Sequence, residues 1–542
     1  MSTDEIKSEF DIPDIPDYIP KKYKPYFFIL FVLIIQFSGG LYLASVAEMT
    51  GSTGLKQEDI LMAGYASLIG MSMNFALMFR IKFRFSAKTQ LLATGIVLII
   101  ANIICANTTN ALILIVTCFI SGWFRMQGTF ACNSTIQLWL TPKRDMSIFF
   151  CYVYIIVDSV IQLSGIFTIY TAFFIEWEYM HWIMTGILAL MMLLVLIILK
   201  PVRGAMYIPL LGIDWIGSTL WCFFMLTFSF LCVYGEYYDW WQSEEMIKVL
   251  YICILCLGIN LWRASFLRHP YISFRSLTNK NVIRASVIYL IFFTLIAPEH
   301  VFENSYTSAI LGYDKTNIID LNIYVFLGII CGCAFTFFTF ALRKWRYKTM
   351  TIIGFLFITV YLTFFYFFID YGMEKETLFI PLFIRGFGSV IISIVFLTSI
   401  VQSGLPFQIF PQALTINGFM GAVLSATLCP AIIGRILKVI MAKNTSLLSS
   451  NIVNFNPEII PQKIGIYYGM IQQQSLIVSM KEIYGWLLMI AILTTILLSV
   501  DYNKIRSSAI FPKWSTIRKG IKHTLRIKNK GKTLPKSIEC VK

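Results

Sequence analysis

Two ionisable side chains stand in stretches that are otherwise apolar. Arg125 lies in FRMQG, between LILIVTCFISGW and TFACNSTIQLWL, and Asp158 lies in YIIVDSVIQ. A charge at the centre of a bilayer costs at least about 2.5–3.5 kcal/mol on insertion scales, so such residues mark solute or proton pathways by default. The bland alternative is a static ion pair that holds two helices together. The short turn PKRD separates the two segments. It makes them antiparallel neighbours, so an Arg and an Asp at matching depth can meet. Pairing would offset part of each desolvation cost and favour the ionised carboxylate. The functional reading is a carboxylate that gains and loses a proton while Arg125 exchanges partners.

A third charge, Arg385 in FIRGFGS, falls about two turns from the outer end of its apolar run. It either snorkels outward or lines a cavity. Gln127, Asn133, Gln162, Gln402 and Asn417 are uncharged polar residues in or near such runs. They suit interhelical hydrogen bonds or a solute pathway, and their types do not separate the two.

Other chemistries find few residues. Eleven of the twelve cysteines lie in or beside apolar runs, and Cys540 is in the C-terminal tail. Cys253 and Cys256 form C-x-x-C without a histidine or second pair beside them, so they read as packing residues and no metal is expected. His181, His269, His300 and His523 are the four histidines, and all fall in loops, at run edges or in the tail. No buried catalytic histidine is expected, which argues against an enzyme. No cofactor is implied.

The elements that must position these residues are membrane helices. The chain is 57% hydrophobic and 13% charged, where an ordinary soluble protein carries about 25% charged residues. Mean hydropathy is +0.73. The fold class is an all-α polytopic membrane protein, with the lipid bilayer as its surroundings. Residues 1–26 are polar and lack the apolar core of a signal peptide, so the first apolar run is expected to stay as a helix. A span needs about 20 mostly apolar residues, and about fourteen such runs can be counted. They begin near Tyr26, Asp59, Ala87, Ala111, Ser147, Met180, Ile213, Met246, Ile283, Leu321, Met350, Leu378, Gln412 and Ile483.

Alternate connections are basic: the N-tail, RIKFRFSAK, PKR, KPVR, the segment 263–284, RKWRYK and the C-tail. Those between them, ANTTN, FIEWEYMH, GEYYDWWQSEE and APEHVFENSYTS, lean acidic or neutral. The alternation places both termini in the cytoplasm. Residues 501–542 hold twelve Lys or Arg against two acids. Beside a last membrane helix this reads as an orientation signal on anionic lipid, with no nucleic-acid partner. The runs are rich in aromatics, with 46 Phe, 27 Tyr and 12 Trp. An aromatic cavity would suit lipophilic or cationic solutes.

Several stretches resemble the 14-helix drug:proton antiporter branch of the major facilitator superfamily. In IDWIGSTLWCFFMLTFSFLCVYGEYYDWWQS, Asp214, Trp215 and Gly217 match the pattern that opens that branch's extra central helix pair. RMQG is similar to its fourth-helix motif at Gln127 and Gly128, although Arg125 stands only two residues before Gln127. HPYISFRSLTNKNV and MIQQQSLIVSMKEIYGW resemble the segments before the helix that follows the pair and before the last helix. FRIKFRFSAKTQ keeps the bases of the superfamily's signature loop but lacks its Gly and Asp. QLSGIFTIYTA lacks the Gly-Pro and Gly-Gly pattern of the antiporter motif, although Gly165 remains. The first helix lacks the acid common in the branch.

The resemblance implies a major facilitator fold of 6 + 2 + 6 helices. Its parts would be an N-tail at 1–25, a six-helix bundle at 26–200, an inserted pair at 201–270, a second bundle at 271–500 and a basic tail at 501–542. It implies proton-coupled efflux of lipophilic or cationic compounds across an inner membrane, with a periplasmic adaptor and an outer-membrane channel as partners. Arg125 would take the family's proton-coupling role, and Asp158, on the residue reading above, would exchange the proton. Gln127, Gly128, Gln162, Gly165, Arg385 and Asn417 would line or gate the cavity. The alternatives are export of a particular metabolite with different or no proton coupling, and a membrane-embedded enzyme or sensor.

Overall fold

The computed structural model describes Ile12 and residues 14–39, 46–141, 145–202, 212–303, 305–313, 315–402, 409–452 and 460–499. Every regular element among the described residues is a helix. The C-tail, most of the uncharged connection near 401–409, and Cys540 lie outside the described residues.

The N-terminal set runs α1 Lys24–Phe37, α2 Val46–Thr53, α3 Gln57–Asn74, α4 Met78–Arg84, α5 Ala87–Asn107, α6 Ala111–Leu140, α7 Met146–Phe174 and α8 Trp177–Ile198. A hairpin follows, α9 Trp215–Tyr234 and α10 Glu244–Phe266. The C-terminal set is α11 Lys280–Ile296, α12 Lys315–Thr336, α13 Tyr347–Phe368, α14 Phe379–Val401, α15 Phe410–Gly418, α16 Cys429–Ile452 and α17 Ile460–Ser499. Among the described residues, twelve helical stretches are long and apolar enough to cross a membrane. The pair α3 and α4, bent by 64° at its break, makes a further candidate, and α1 is a shorter apolar helix. Each run expected from the sequence falls on one of these elements.

Local chemistry sets where the helices begin. Ser86, Asn110, Asp145 and Asp214 each accept a backbone N–H of the first turn, the role in which Ser, Asn and Asp are strongest. Small residues then let helices cross closely. A Cβ at Gly70 would lie 2.2 Å from the Phe119 carbonyl oxygen, and one at Gly122 would lie 1.9 Å from that of Ser67. α3 and α6 therefore touch backbone to backbone. α12 and α14 cross in the same manner, since a Cβ at Gly328 would lie 2.3 Å from the Phe383 oxygen and one at Gly386 would lie 2.5 Å from that of Val325. α5 on α8 is likewise matched by α13 on α17. The second half thus repeats the packing of the first.

The halves meet near the end of the bundle that carries the basic loops. Asp145, the cap of α7, also pairs with Lys344 beyond α12. Gly418 at the end of α15 sits against Phe75 and Ser72 at the end of α3. α7 also packs against α12 and α14 of the other half. The hairpin lies on α3 and on the helix following α15. Tyr234 donates to Asp59, and Tyr271 donates to the Met73 carbonyl.

Two regions differ from the sequence reading. The described residues of APEHVFENSYTS are largely helical rather than a loop, with π turns at Glu299–Glu303 and Tyr306–Ile310. Its acids are taken into the bundle by a buried arginine. The N-tail is not simply a polar extension either. Ile12 and Ile15 are fully buried in the core formed by Phe28, Leu91, Ile136 and Leu199, and Lys24 Nζ donates to the Ile15 carbonyl at 3.2 Å.

Candidate functional site

Arg125 sits midway along α6 and is 5% exposed. Nη2 points at Met71 Sδ on α3 at 2.6 Å, and the buried Nε has no hydrogen-bond partner. The guanidinium lies over Gly39, where a Cβ would come within 1.6 Å of Nη1. Only a glycine leaves room for it. No carboxylate among the described residues lies within ion-pair distance of Arg125.

Asp158 does not meet it. The two residues share no ion pair or hydrogen bond, and Asp158 lies within electrostatic range of the C-terminal set. Its electrostatic neighbours are Tyr154 on its own helix, Tyr289 on α11 and Cys333 on α12. The pair that the short turn allows is not made, because position along neighbouring helices does not fix azimuth. α6 turns Arg125 inward toward α3 and α1, while α7 turns Asp158 across the seam. Gln162 and Gly165 follow Asp158 at helical spacing and are half-buried like it, so the three share one face of α7.

Gln127 and Gly128 belong to packing inside the N-terminal set. Gln127 Nε2 donates to Gln90 Oε1 at 2.8 Å, and Gln90 Nε2 donates to the Phe85 carbonyl at 2.7 Å. A Cβ at Gly128 would stand 2.8 Å from Thr94 Cγ2 and 3.1 Å from Ile35 Cδ1. Asn417, half-buried, precedes the glycine of the α15–α3 contact.

Arg385 neither snorkels nor stands alone. It is 4% exposed on α14. Its Nη1 meets Glu303 Oε2 at 2.5 Å, and its Nη2 meets Glu299 Oε1 at 3.3 Å. Tyr361 of α13 donates to Glu303 Oε1 at 2.7 Å. Glu299 and Glu303 fall on and beside a π turn, an irregularity frequent at functional sites. Sequence reasoning missed this cluster because EHVFE looked like an acidic outer loop. A spacing of four between the two glutamates was the available signal.

The signature residues have a structural account. Asp214 Oδ1 caps α9 through Gly217 N–H at 2.9 Å and accepts from Arg263 Nη2, at the end of α10, at 2.8 Å. One carboxylate thereby joins the start of the hairpin to its finish. A Cβ at Gly217 would lie 2.1 Å from Asp214 Oδ2, so any larger residue must displace that carboxylate from its cap. Trp215 is exposed beside them.

His181, placed by the sequence at the edge of an apolar run, is buried. It lies in the first turns of α8, is 1% exposed, and its Nδ1 is 2.9 Å from Asn102 Oδ1. Among the described residues no group of three His, Cys, Asp or Glu gathers as a metal site. Cys253 and Cys256 are buried thiols of α10.

Solved structures share this arrangement of helices. A peptide transporter POT in complex with sulfate aligns with a TM-score of 0.53 at 13% identity, over 92% of this chain and 99% of that one. The nucleoside transporter NupG aligns at 0.50 and 14% identity, over 88% and 98%. The chain has the major facilitator fold. The human organic anion transporter MFSD10 (TETRAN) aligns at 0.50 and 9% identity, over 87% and 100%. At such identities the likeness is one of fold. No family model matches the chain, and no curated protein matches it. The 14-helix branch suggested by the motifs remains a resemblance.

Proposed function

We propose that this chain is a secondary transporter of the major facilitator kind, in which bundles at 26–200 and 271–500 rock about a central site and 201–270 is an inserted pair. Such folds are built from repeats with the solute site near the midplane, and the repeated α3–α6 and α12–α14 crossings support that division. The observation that carries the reading is Asp158. It is a carboxylate with no ion-pair partner among the described residues, set on α7 where it looks across to Tyr289 and Cys333 of the other half. A proton on such a group changes the charge at the interface that must open and close. Arg125 supplies a second buried charge, and the Arg385 cluster is a third candidate element on the opposite half.

In this reading the solutes are lipophilic or cationic compounds driven outward by protons across an inner membrane, with both termini in the cytoplasm. A periplasmic adaptor and an outer-membrane channel would complete the route. A second reading, export of an anionic metabolite, is favoured by one observation. Arg125 is buried with no carboxylate beside it among the described residues, so it suits a negatively charged group.

Everted vesicles with an acidified interior test both readings. Proton release on adding cationic or neutral lipophilic compounds, above an empty-vector control, is expected. Asp158→Asn and Arg125→Ala should insert normally and abolish it. Normal proton-driven transport in well-expressed Arg125→Ala and Asp158→Asn would remove both residues from the coupling role. Release with organic anions alone would select the second reading.

A further inference from the structure

A cavity of about 530 Å³ opens where the hairpin meets both halves, at the end of the bundle that carries the basic loops. Its walls come from the α3–α4 bend, the start of α9, the segment after α10 and the start of α15. Three arginines line it, Arg80, Arg268 and Arg275, together with His269. None of these arginines has a carboxylate within ion-pair distance among the described residues. Asp214, the one acid among the described residues of the wall, is already engaged by Arg263. Among the described residues the cavity is therefore cationic, with no unengaged carboxylate in its wall. It is also partly apolar, through Leu77, Phe79, Ile213 and Leu267.

The wall is built rather than draped. Gln412 Oε1 accepts from Ser273 N at 3.1 Å and from Ser276 Oγ at 2.5 Å, and Gln412 Nε2 donates to the Pro270 carbonyl at 3.3 Å. These bonds pin the segment bearing His269 and Arg275 to α15. The bend of 64° between α3 and α4 brings Phe79 and Arg80 to the opposite side.

We propose that this cavity binds the phosphate group of an anionic phospholipid, with the headgroup among Arg80, Arg268 and Arg275 and the acyl chains against Leu77, Phe79 and Leu267. Basic pockets between membrane helices take anionic head groups on charge grounds, and the apolar wall favours an amphiphile over a free anion. The occupant would bridge the hairpin to both halves. The site is separate from Arg125, Asp158 and Arg385, so it stands whichever solute is carried.

Native mass spectrometry of the purified full chain tests it, with phosphatidylglycerol and phosphatidylcholine offered in equal amounts. Each arginine near an anionic head group is worth about fivefold in affinity. The triple variant Arg80→Gln/Arg268→Gln/Arg275→Gln should therefore retain roughly a hundredfold less phosphatidylglycerol. The control Lys88→Gln/Lys200→Gln/Arg343→Gln removes equal charge elsewhere and should stay within about twofold of wild type. Leu267→Trp fills the cavity without touching charge and should also lower retention, which guards against misfolding of the triple variant. Equilibrium dialysis with inorganic phosphate separates the sources. Saturable phosphate binding, lost in the triple variant and without preference for the lipid, would assign the site to a free phosphate. Equal retention of both lipids by wild type, or equal losses in the pocket and control triples, would overturn the proposal.

Discussion

Arg385→Met is the most informative single change in the C-terminal set. It removes a cation that holds Glu303 at 2.5 Å and Glu299 at 3.3 Å, at a site 4% exposed. Methionine keeps much of the stem, so little cavity is made. What remains is a pair of carboxylates facing each other with Tyr361 as the donor to Glu303. Removing one partner of a buried pair costs about 3–5 kcal/mol. Unfolding entropy of about 2.1 cal/mol/K per residue gives a chain of this size about 1 kcal/mol per degree, so Tm should fall by about 3–5 °C. That is a lower bound, because a membrane protein keeps helices when it denatures and its unfolding entropy is smaller. The triple change Arg385→Met/Glu299→Gln/Glu303→Gln leaves no orphaned charge and should recover most of the loss, as buried ion clusters replaced together often do. Thermal unfolding of the three proteins in one detergent measures both. A triple variant no more stable than Arg385→Met, or a single variant that unfolds like wild type, would refute the view that an uncompensated carboxylate sets the cost.

Gly217→Ala should push Asp214 out of its cap and cost about 1–2 kcal/mol. Asp214→Ala should cost about as much, and the two together little more than either, read from denaturation curves. Asp145→Lys should weaken the seam at the basic end and raise maleimide labelling of the buried Cys151 in a background lacking the other cysteines, while Asp145→Lys/Lys344→Asp restores protection. The stability effect of that surface pair should stay below about 1 kcal/mol. At the opposite end Glu236 holds the hairpin to Lys438 and Arg435. Burial works against its carboxylate, but hydrogen bonds from Lys438 and Trp240 outweigh that and keep its pKa below the usual range. A depressed carboxylate stabilises above its unfolded pKa and loses the effect as pH falls through the folded one. The tether should therefore be intact above about pH 5 and fail progressively below about pH 4, measured as a drop in Tm that Glu236→Gln removes.

The sequence by itself determined the kind of molecule. Apolar runs of about 20 residues must be helices in lipid, because each helix satisfies its own backbone. Basic and acidic connections then alternate whatever the packing does. Asp214 and Gly217 were also legible, since a cap acts within one turn. The tertiary structure decided everything that depends on azimuth and on contacts far along the chain. Arg125 and Asp158 lie on consecutive helices, yet they have different neighbours. Arg385 finds Glu299 and Glu303 more than eighty residues away, in a stretch that composition marked as a loop. A linear pattern fixes how deep a side chain lies, whereas helix rotation and crossing fix what it touches. Those are set by backbone contacts at Gly70, Gly122, Gly328 and Gly386, whose partners the sequence does not name.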